Sequence, residues 1–69
     1  MKGKVKSFSP QHGYGFILGD MDEIFFFHAN EWKSKSKPLR GMSVEFEPII
    51  TPKGSRATQI RRTLWQKTK

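Results

Sequence analysis

Two short segments of alternating aromatic side chains constrain the fold of this chain more than any other feature of its sequence. They run from His12 to Ile17 and from Ile24 to His28. Successive side chains of a β-strand point to opposite faces, so each segment presents aromatic rings on one face. The break between the segments would fold them into a hairpin and bring four rings side by side. These rings belong to Tyr14, Phe16, Phe26 and His28.

The second segment also indicates which side of the hairpin is interior. Phe25 and Phe27 alternate with the residues that carry the outward rings, and a chain of 69 residues is too small to bury both faces of one strand. The face that carries His28 is the one that tolerates water. We therefore predict that Phe25 and Phe27 lie in the core, together with Val5 and Ile17.

Two further segments have the alternation of strands. Residues 2–8 place Val5 among three lysines, which predicts a half-buried strand with a cationic outer face. Residues 42–47 alternate cleanly between apolar and polar side chains, with the apolar set inward. This strand is predicted to fray between Pro48 and Pro52, because proline removes a ladder hydrogen bond.

The last predicted strand covers residues 56–62, and its pattern is irregular. Ala57 and Ile60 are both expected near the core, yet their odd spacing does not fit simple alternation, which indicates either an irregularity in the strand or a wrong assignment of its inward face. One helical turn is predicted at Ala29–Trp32, and the sequence shows no helix of ten or more residues. Five short strands with turns between them predict a small β-barrel, which leaves no exposed sheet edge.

Length and composition predict one soluble, cytoplasmic domain over residues 1–62. A basic tail follows over residues 63–69, in which Leu64 and Trp65 are the only residues that could anchor it to the domain. The chain has no cysteine, so no disulfide or thiolate metal site reinforces the core. Its longest apolar run, Ile24–Phe27, is far shorter than the roughly 20 residues of a membrane span.

The net charge of +7 narrows the classes of partner. A field of this sign attracts polyanions, which are nucleic acids, anionic membranes and acidic proteins. Membrane is the weaker option because no segment has the pattern of an amphipathic surface helix. Rings beside lysines favour a nucleic acid, because aromatic side chains stack on bases while lysines follow the phosphates.

Several segments resemble the cold-shock domain family. The first strand and two RNA-binding motifs of that family are similar, in order and spacing, to Lys4-Val5-Lys6, Gly13-Tyr14-Gly15-Phe16-Ile17 and Phe26-Phe27-His28. Later family segments are similar to Gly41, Val44-Glu45-Phe46-Glu47 and Ala57-Thr58-Gln59-Ile60. The resemblance covers about residues 2–62. It implies an all-β fold, a five-stranded antiparallel OB-fold Greek-key barrel, that binds single-stranded RNA or DNA and often acts as an RNA chaperone.

The resemblance also implies a set of binding residues. The family's binding face would fall on Lys6, Phe8, Tyr14, Phe16, Phe26 and His28. Three more residues, Lys4, His12 and Arg56, are further candidates from the charge and turn patterns.

The chain departs from the family pattern at several binding positions. Ser7 replaces a usual tryptophan, Ala29 replaces an aromatic residue, and His12 stands where lysine is common. The loop after Trp32 is shorter, lacks the usual aromatic residue and carries lysines instead. These departures predict a divergent member that relies more on charge and less on stacking, so that its binding is more sensitive to salt.

Other function classes fit the sequence less well. An RNA-recognition motif would need helices that the pattern lacks. No nucleophile–base pair, phosphate loop or ligand cluster indicates an enzyme, a metal, a cofactor or a small-molecule substrate.

Trp32 is expected to anchor the core or a loop. The chain is predicted to be a monomer. Two alternatives to the nucleic-acid-binding function stay open: a protein-interaction barrel with the aromatic face as its docking patch, and the N-terminal nucleic-acid-binding module of a larger protein.

Overall fold

Residues 1–35 and 37–63 are described by a computed structural model, which shows a closed five-stranded barrel. The strands are β1 (Lys2–Ser9), β2 (Tyr14–Leu18), β3 (Ile24–His28), β4 (Ser43–Thr51) and β5 (Gly54–Arg62). Single turns of 3₁₀-helix cover Asp20–Asp22 and Ala29–Glu31. The strands close in the order β1-β2-β3-β5-β4, which confirms the predicted fold class. The ladders are antiparallel except for a short parallel pairing of β3 with β5 at Phe26 and Arg56.

The pairing of β2 with β3 runs without a register shift from Tyr14–His28 to Leu18–Ile24. Because side chains alternate along both strands, this register sends one set of rings into the barrel and the other set outward. Phe25 and Phe27 are 1% and 0% exposed, whereas Phe26 between them is only half-buried. The predicted assignment of interior and exterior faces is therefore confirmed.

The core is filled by apolar side chains from all five strands. Phe25 packs edge-to-face against Phe46 at 5.0 Å between ring centroids, which joins β3 to β4 across the barrel. Met42, just before β4, is half-buried and packs against this cluster. The buried residues are Val5, Ile17, Phe25, Phe27, Val44, Phe46, Ala57 and Ile60.

A β-bulge in β1 changes which of its side chains face the interior. Val5 pairs with Ile17, but the next pair joins Ser7 to Phe16, so Lys6 is the extra residue. Simple alternation from Val5 would point Ser7 inward. The bulge instead puts Ser7 beside the outward ring of Phe16. It turns the next residue, Phe8, toward the interior.

Strand β4 continues past the position where it was predicted to fray, and that prediction is wrong. β4 pairs with β5 as far as Thr51, and Pro48 lies opposite Ala57 within this ladder. The pairing of β1 with β4 reaches only Glu45, so the other edge of β4 has no ladder at Pro48. A proline is tolerated where its missing N–H is not needed by a neighbouring strand.

The irregular spacing in β5 has a structural cause. The register between β4 and β5 shifts between Glu45 and Glu47, and Gln59 has a φ of 49°. Its backbone N–H donates to Glu31 Oε1 at 3.1 Å, which stabilises the left-handed conformation. This extra residue brings both Ala57 and Ile60 into the core, as the sequence predicted.

Of the predicted tail, the structure describes only Thr63, whose N–H donates to the Ser43 carbonyl oxygen at 2.9 Å. The remainder of the tail, including Leu64 and Trp65, lies outside the described residues. In the described part of the chain, no helix is long and apolar enough to cross a membrane.

The division of β3 into two faces predicts different costs for two neighbouring substitutions. Phe25→Ala should lower the free energy of unfolding by about 3–5 kcal/mol, because it removes a fully buried ring and leaves a cavity. Phe26→Ala should cost less than about half of that, because its half-buried ring leaves water only in part. Urea denaturation followed by circular dichroism measures both. Equal losses would mean that the outward ring of Phe26 contributes as much to the stability of the fold as the inward ring of Phe25.

Candidate nucleic-acid interface

Four aromatic rings lie together on the outside of the hairpin formed by β2 and β3. Tyr14 and Phe26 are 5.4 Å apart between ring centroids, and Phe16 lies 5.8 Å from Phe26 in an edge-to-face arrangement. His28 is 5.3 Å from Phe26, also edge-to-face. Tyr14 and His28 are exposed, and the two phenylalanines are half-buried. We call this surface the ring face: Tyr14, Phe16, Phe26 and His28.

Close approach of β1 holds the ring face in place from behind. Gly15 is buried between Tyr14 and Phe16, and a Cβ there would overlap the carbonyl oxygen of Ser7. Only a residue without a side chain lets β1 approach β2 this closely. The backbone of β2 between its two outward rings is therefore held close to β1, and Phe16 contacts Phe26 of β3 edge-to-face.

The turn between β4 and β5 forms a polar wall along one side of the ring face. Phe16, Phe26 and His28 share a groove of about 500 Å³ with residues 51 and 53–56. The guanidinium carbon of Arg56 lies 5.6 Å from the centroid of Phe26, within range of a cation–π contact. Arg56 Nε is buried and has no hydrogen-bond partner in the described structure. A polar group in this state favours a ligand that supplies an acceptor.

Sequence reasoning placed Arg56 beside the site but missed the other polar residues of this wall. Thr51, Lys53 and Ser55 line the same groove. Thr51 falls in the segment that was predicted to fray, and Lys53 and Ser55 fall between the two predicted strands. The pairing of β3 with β5 brings them to the ring face, and strands so far apart in sequence give no local signal of such a pairing.

Three other predicted residues lie around the ring face. The His12 ring is 5.8 Å from that of Tyr14, and its Nδ1 is hydrogen-bonded to Ser9 Oγ at 2.7 Å. Lys4 pairs across the ladder with Leu18, on the outward side of β2, and Lys6 is the exposed bulge residue. These side chains add charge and one more ring at the margins of the surface.

Phe8 is the predicted site residue that the structure does not bring to the ring face. The bulge pairs Phe8 with Gly15, on the inner side of the ladder. Its ring stacks on that of Phe27 at 5.8 Å between centroids, with the planes 11° apart. Phe8 is half-buried and packs against the core at one end of the barrel. Trp32 lies at the same end, 6.3 Å from Phe27, which fits its predicted role as an anchor.

The comparisons with known proteins agree with this geometry. The model of the 'Cold-shock' DNA-binding domain family matches residues 1–63. The chain belongs to the cold-shock domain family. Cold shock-like proteins of Thermotoga maritima and Aquifex aeolicus are each 38% identical over 63 residues, which is 88% and 87% of this chain and 96% and 90% of theirs.

A solved structure supports the fold of this cold-shock domain independently. The Drosophila Unr CSD456 structure matches 99% of the chain with a TM-score of 0.74 at 21% identity. The chain spans 28% of that longer protein. Membership of the family makes nucleic-acid binding the general function of this domain. Among the described residues, no group of three or more histidine, aspartate or glutamate side chains is placed to hold a metal ion.

Proposed function

We propose that this cold-shock domain binds single-stranded RNA or DNA by stacking unpaired bases on the ring face. The observation that supports this most directly is that four rings lie outside a barrel whose core is already filled by Phe25 and Phe27. Exposing large apolar surface costs free energy unless a ligand covers it. Flat rings with polar neighbours fit the π faces of bases.

Stacking supplies the affinity, and the bases of a duplex do not take part because they are already stacked on one another. Each base–aromatic stack contributes about 1–3 kcal/mol as measured by alanine substitution. The ring face therefore supplies several kcal/mol, part of which offsets the loss of strand freedom. Every base has a π face, so the same surface accepts many sequences.

Cations at the margins would bind the phosphates of a strand stacked on the ring face. Lys4 and Lys6 lie along β1 on one side of the hairpin, and Lys53 and Arg56 lie on the opposite side. The acidic Glu45 and Glu47 are on β4, where they line a separate depression with Arg61. A strand that crosses the rings would thus have cations on both sides.

Preferential binding of unpaired strands accounts for an RNA-chaperone activity without any chemical step. A protein that binds an unpaired strand but not the duplex shifts the equilibrium toward the unpaired state by mass action. Weak hairpins in RNA would open, and strong ones would persist. A function of this kind needs only the ring face and its cations.

The deciding experiment replaces the two central rings. Phe16→Ala/Phe26→Ala should weaken binding of a short oligothymidylate by about 2–6 kcal/mol, which is roughly 30-fold or more, because two stacks are lost. Leu18→Ala/Ile24→Ala is the matched control, since these residues pair on the same strands, are 37% and 40% exposed, and carry no ring. Fluorescence anisotropy measures both dissociation constants. Equal effects of the two double variants would contradict a ring-based site.

The same titration separates the protein-docking alternative. The free chain should bind a single strand more tightly than a duplex of equal charge, because only unpaired bases stack on the rings. No preference for the single strand would favour a protein partner for the ring face.

The contribution of lysines should be visible in the salt dependence of binding. Each phosphate contact on a single strand contributes about −0.7 to the slope of log K against log salt concentration. Lys4→Ala/Lys6→Ala should therefore reduce the magnitude of this slope by about 1.4. The control is Lys2→Ala/Arg61→Ala, which removes the same amount of charge. Lys2 and Arg61 both pair with Glu45 of β4, away from the rings. An equal change of slope in this control would mean that only net charge matters.

A substitution that enlarges the ring face should strengthen binding. Ser7 is exposed and pairs with Phe16, so Ser7→Trp should place a fifth ring beside the other four. One added stack corresponds to a gain of roughly 5- to 160-fold in affinity. Ser43→Trp is the control, because Ser43 is exposed on β4 and pairs with Lys4 instead. Isothermal titration calorimetry compares the two, and an equal gain in both would contradict a localised site.

A further inference from the structure

We propose that the turn end of the β2–β3 hairpin docks a segment of another protein in which apolar side chains lie beside lysine or arginine. This goes beyond the nucleic-acid binding proposed above and does not depend on stacking. The outward side chains of β2 and β3 form three rows, of which the first two carry the rings. The third row pairs Leu18 with Ile24, carries no ring, and is 37% and 40% exposed. We call this row and the turn beyond it the turn patch: Leu18, Met21 and Ile24, with Asp20, Asp22 and Glu23.

Met21 lies at the tip of the turn, and the backbone holds its side chain in solvent at 98% exposure. Met21 and Asp22 both have a left-handed φ, 58° and 61°, which methionine rarely adopts because its Cβ crowds the backbone. Two hydrogen bonds close the turn, from the Gly19 N–H to the Glu23 carbonyl oxygen at 2.7 Å and from the Glu23 N–H to the Asp20 carbonyl oxygen at 3.2 Å. A strained turn that displays an uncovered apolar side chain favours a contact made by that side chain.

Carboxylates surround this apolar surface in a chain that is otherwise strongly basic. Three of its six acidic residues, Asp20, Asp22 and Glu23, fall within four consecutive positions, and all three are exposed. Ser55 Oγ donates to Glu23 Oε2 at 3.0 Å, which holds that carboxylate beside the turn. The turn patch is therefore apolar at its centre and acidic at its rim.

This charge distribution decides between the classes of partner. The carboxylates would repel the phosphates of a nucleic acid or of an anionic membrane. A second copy of the chain on a two-fold axis would place the same carboxylates opposite one another, because such an interface pairs one surface with itself. Lys4 pairs with Leu18 and lies at the border with the ring face. A protein segment that carries both cations and apolar side chains complements the centre and the rim together.

A defined peptide tests the proposal on the full chain. The probe is a fluorophore-labelled peptide of alternating leucine and lysine. One matched peptide has serine in place of leucine, and another has glutamate in place of lysine. The leucine–lysine peptide should bind about 10-fold more tightly than either matched peptide, because it alone supplies the apolar contact and the opposite charge. Fluorescence anisotropy measures the three dissociation constants.

A matched pair of variants tests the apolar centre of the turn patch. Met21→Ser should weaken binding of the leucine–lysine peptide about 10-fold, because it removes the side chain that the peptide covers. Leu39→Ser is the control, since Leu39 is 62% exposed on the loop before β4 and lies outside the turn patch. This control should bind the peptide as the wild type does.

A second pair tests the acidic rim at constant net charge. Asp20→Asn/Asp22→Asn should weaken binding of the leucine–lysine peptide about 3-fold, because two exposed ion pairs are lost. The control, Glu45→Gln/Glu47→Gln, removes the same charge from β4. An equal loss in the two double variants would mean that only net charge attracts the peptide, which contradicts a localised rim.

Binding of oligothymidylate separates this proposal from the function proposed above. Met21→Ser should leave that binding unchanged, because Met21 lies beyond the rows that carry the rings. If the wild type binds the leucine–lysine peptide but no oligothymidylate, the proposed function fails and the turn patch stands.

Three further results would overturn the proposal. If the three peptides bind alike, or none binds, the turn patch is not a docking site. If Phe16→Ala/Phe26→Ala weakens peptide binding and Met21→Ser does not, the peptide lies on the ring face. If the free chain self-associates in sedimentation and Met21→Ser abolishes this while Leu39→Ser does not, the occupant is a second copy of the chain.

Discussion

The uninterrupted register between β2 and β3 is the constraint on which the rest of the structure depends. Five consecutive pairs align Phe25 and Phe27 with Ile17 and Gly15 on the inner side. A slip of one residue would turn both buried rings to water and bury the histidine side chain instead. The cost of exposing two phenylalanines is a large part of the stability of a domain this small. The same register that stabilises the barrel therefore also aligns the outward rings.

Because one ladder determines both core and ring face, the four rings lie side by side in the barrel without any ligand. Phe16 contacts both Tyr14 and Phe26 edge-to-face, and Gly15 lets the backbone of β1 lie close behind β2. A preorganised surface loses little side-chain entropy when bases stack on it, so more of the stacking free energy appears as affinity. The side chain of Arg56 on the wall differs from the rings, since its buried Nε has no partner within the described chain.

The sequence alone was sufficient to predict which side chains are buried where the alternation is local. It was insufficient where a strand contains an inserted residue or where strands distant in sequence meet. Alternation predicted the core positions on β2 and β3 correctly, and the odd spacing of Ala57 and Ile60 correctly indicated an irregularity. It did not reveal the bulge at Lys6, because the segment reads as regular until the pairing of Ser7 with Phe16 is seen. Nor did it reveal that β4 tolerates Pro48, which depends on where β1 ends.

The bulge at Lys6 also determines which aromatic side chain of β1 lies away from the ring face. It moves Phe8 from the row of the ring face to the barrel end, where Ala29 and the short basic loop leave space beside Trp32. Stacking on such rings depends little on salt, whereas each phosphate contact weakens as counterions compete for it. Ser7 and Ala29 offer no ring at their positions, so in the proposed function the phosphate contacts of the lysines would carry a larger share of the binding free energy.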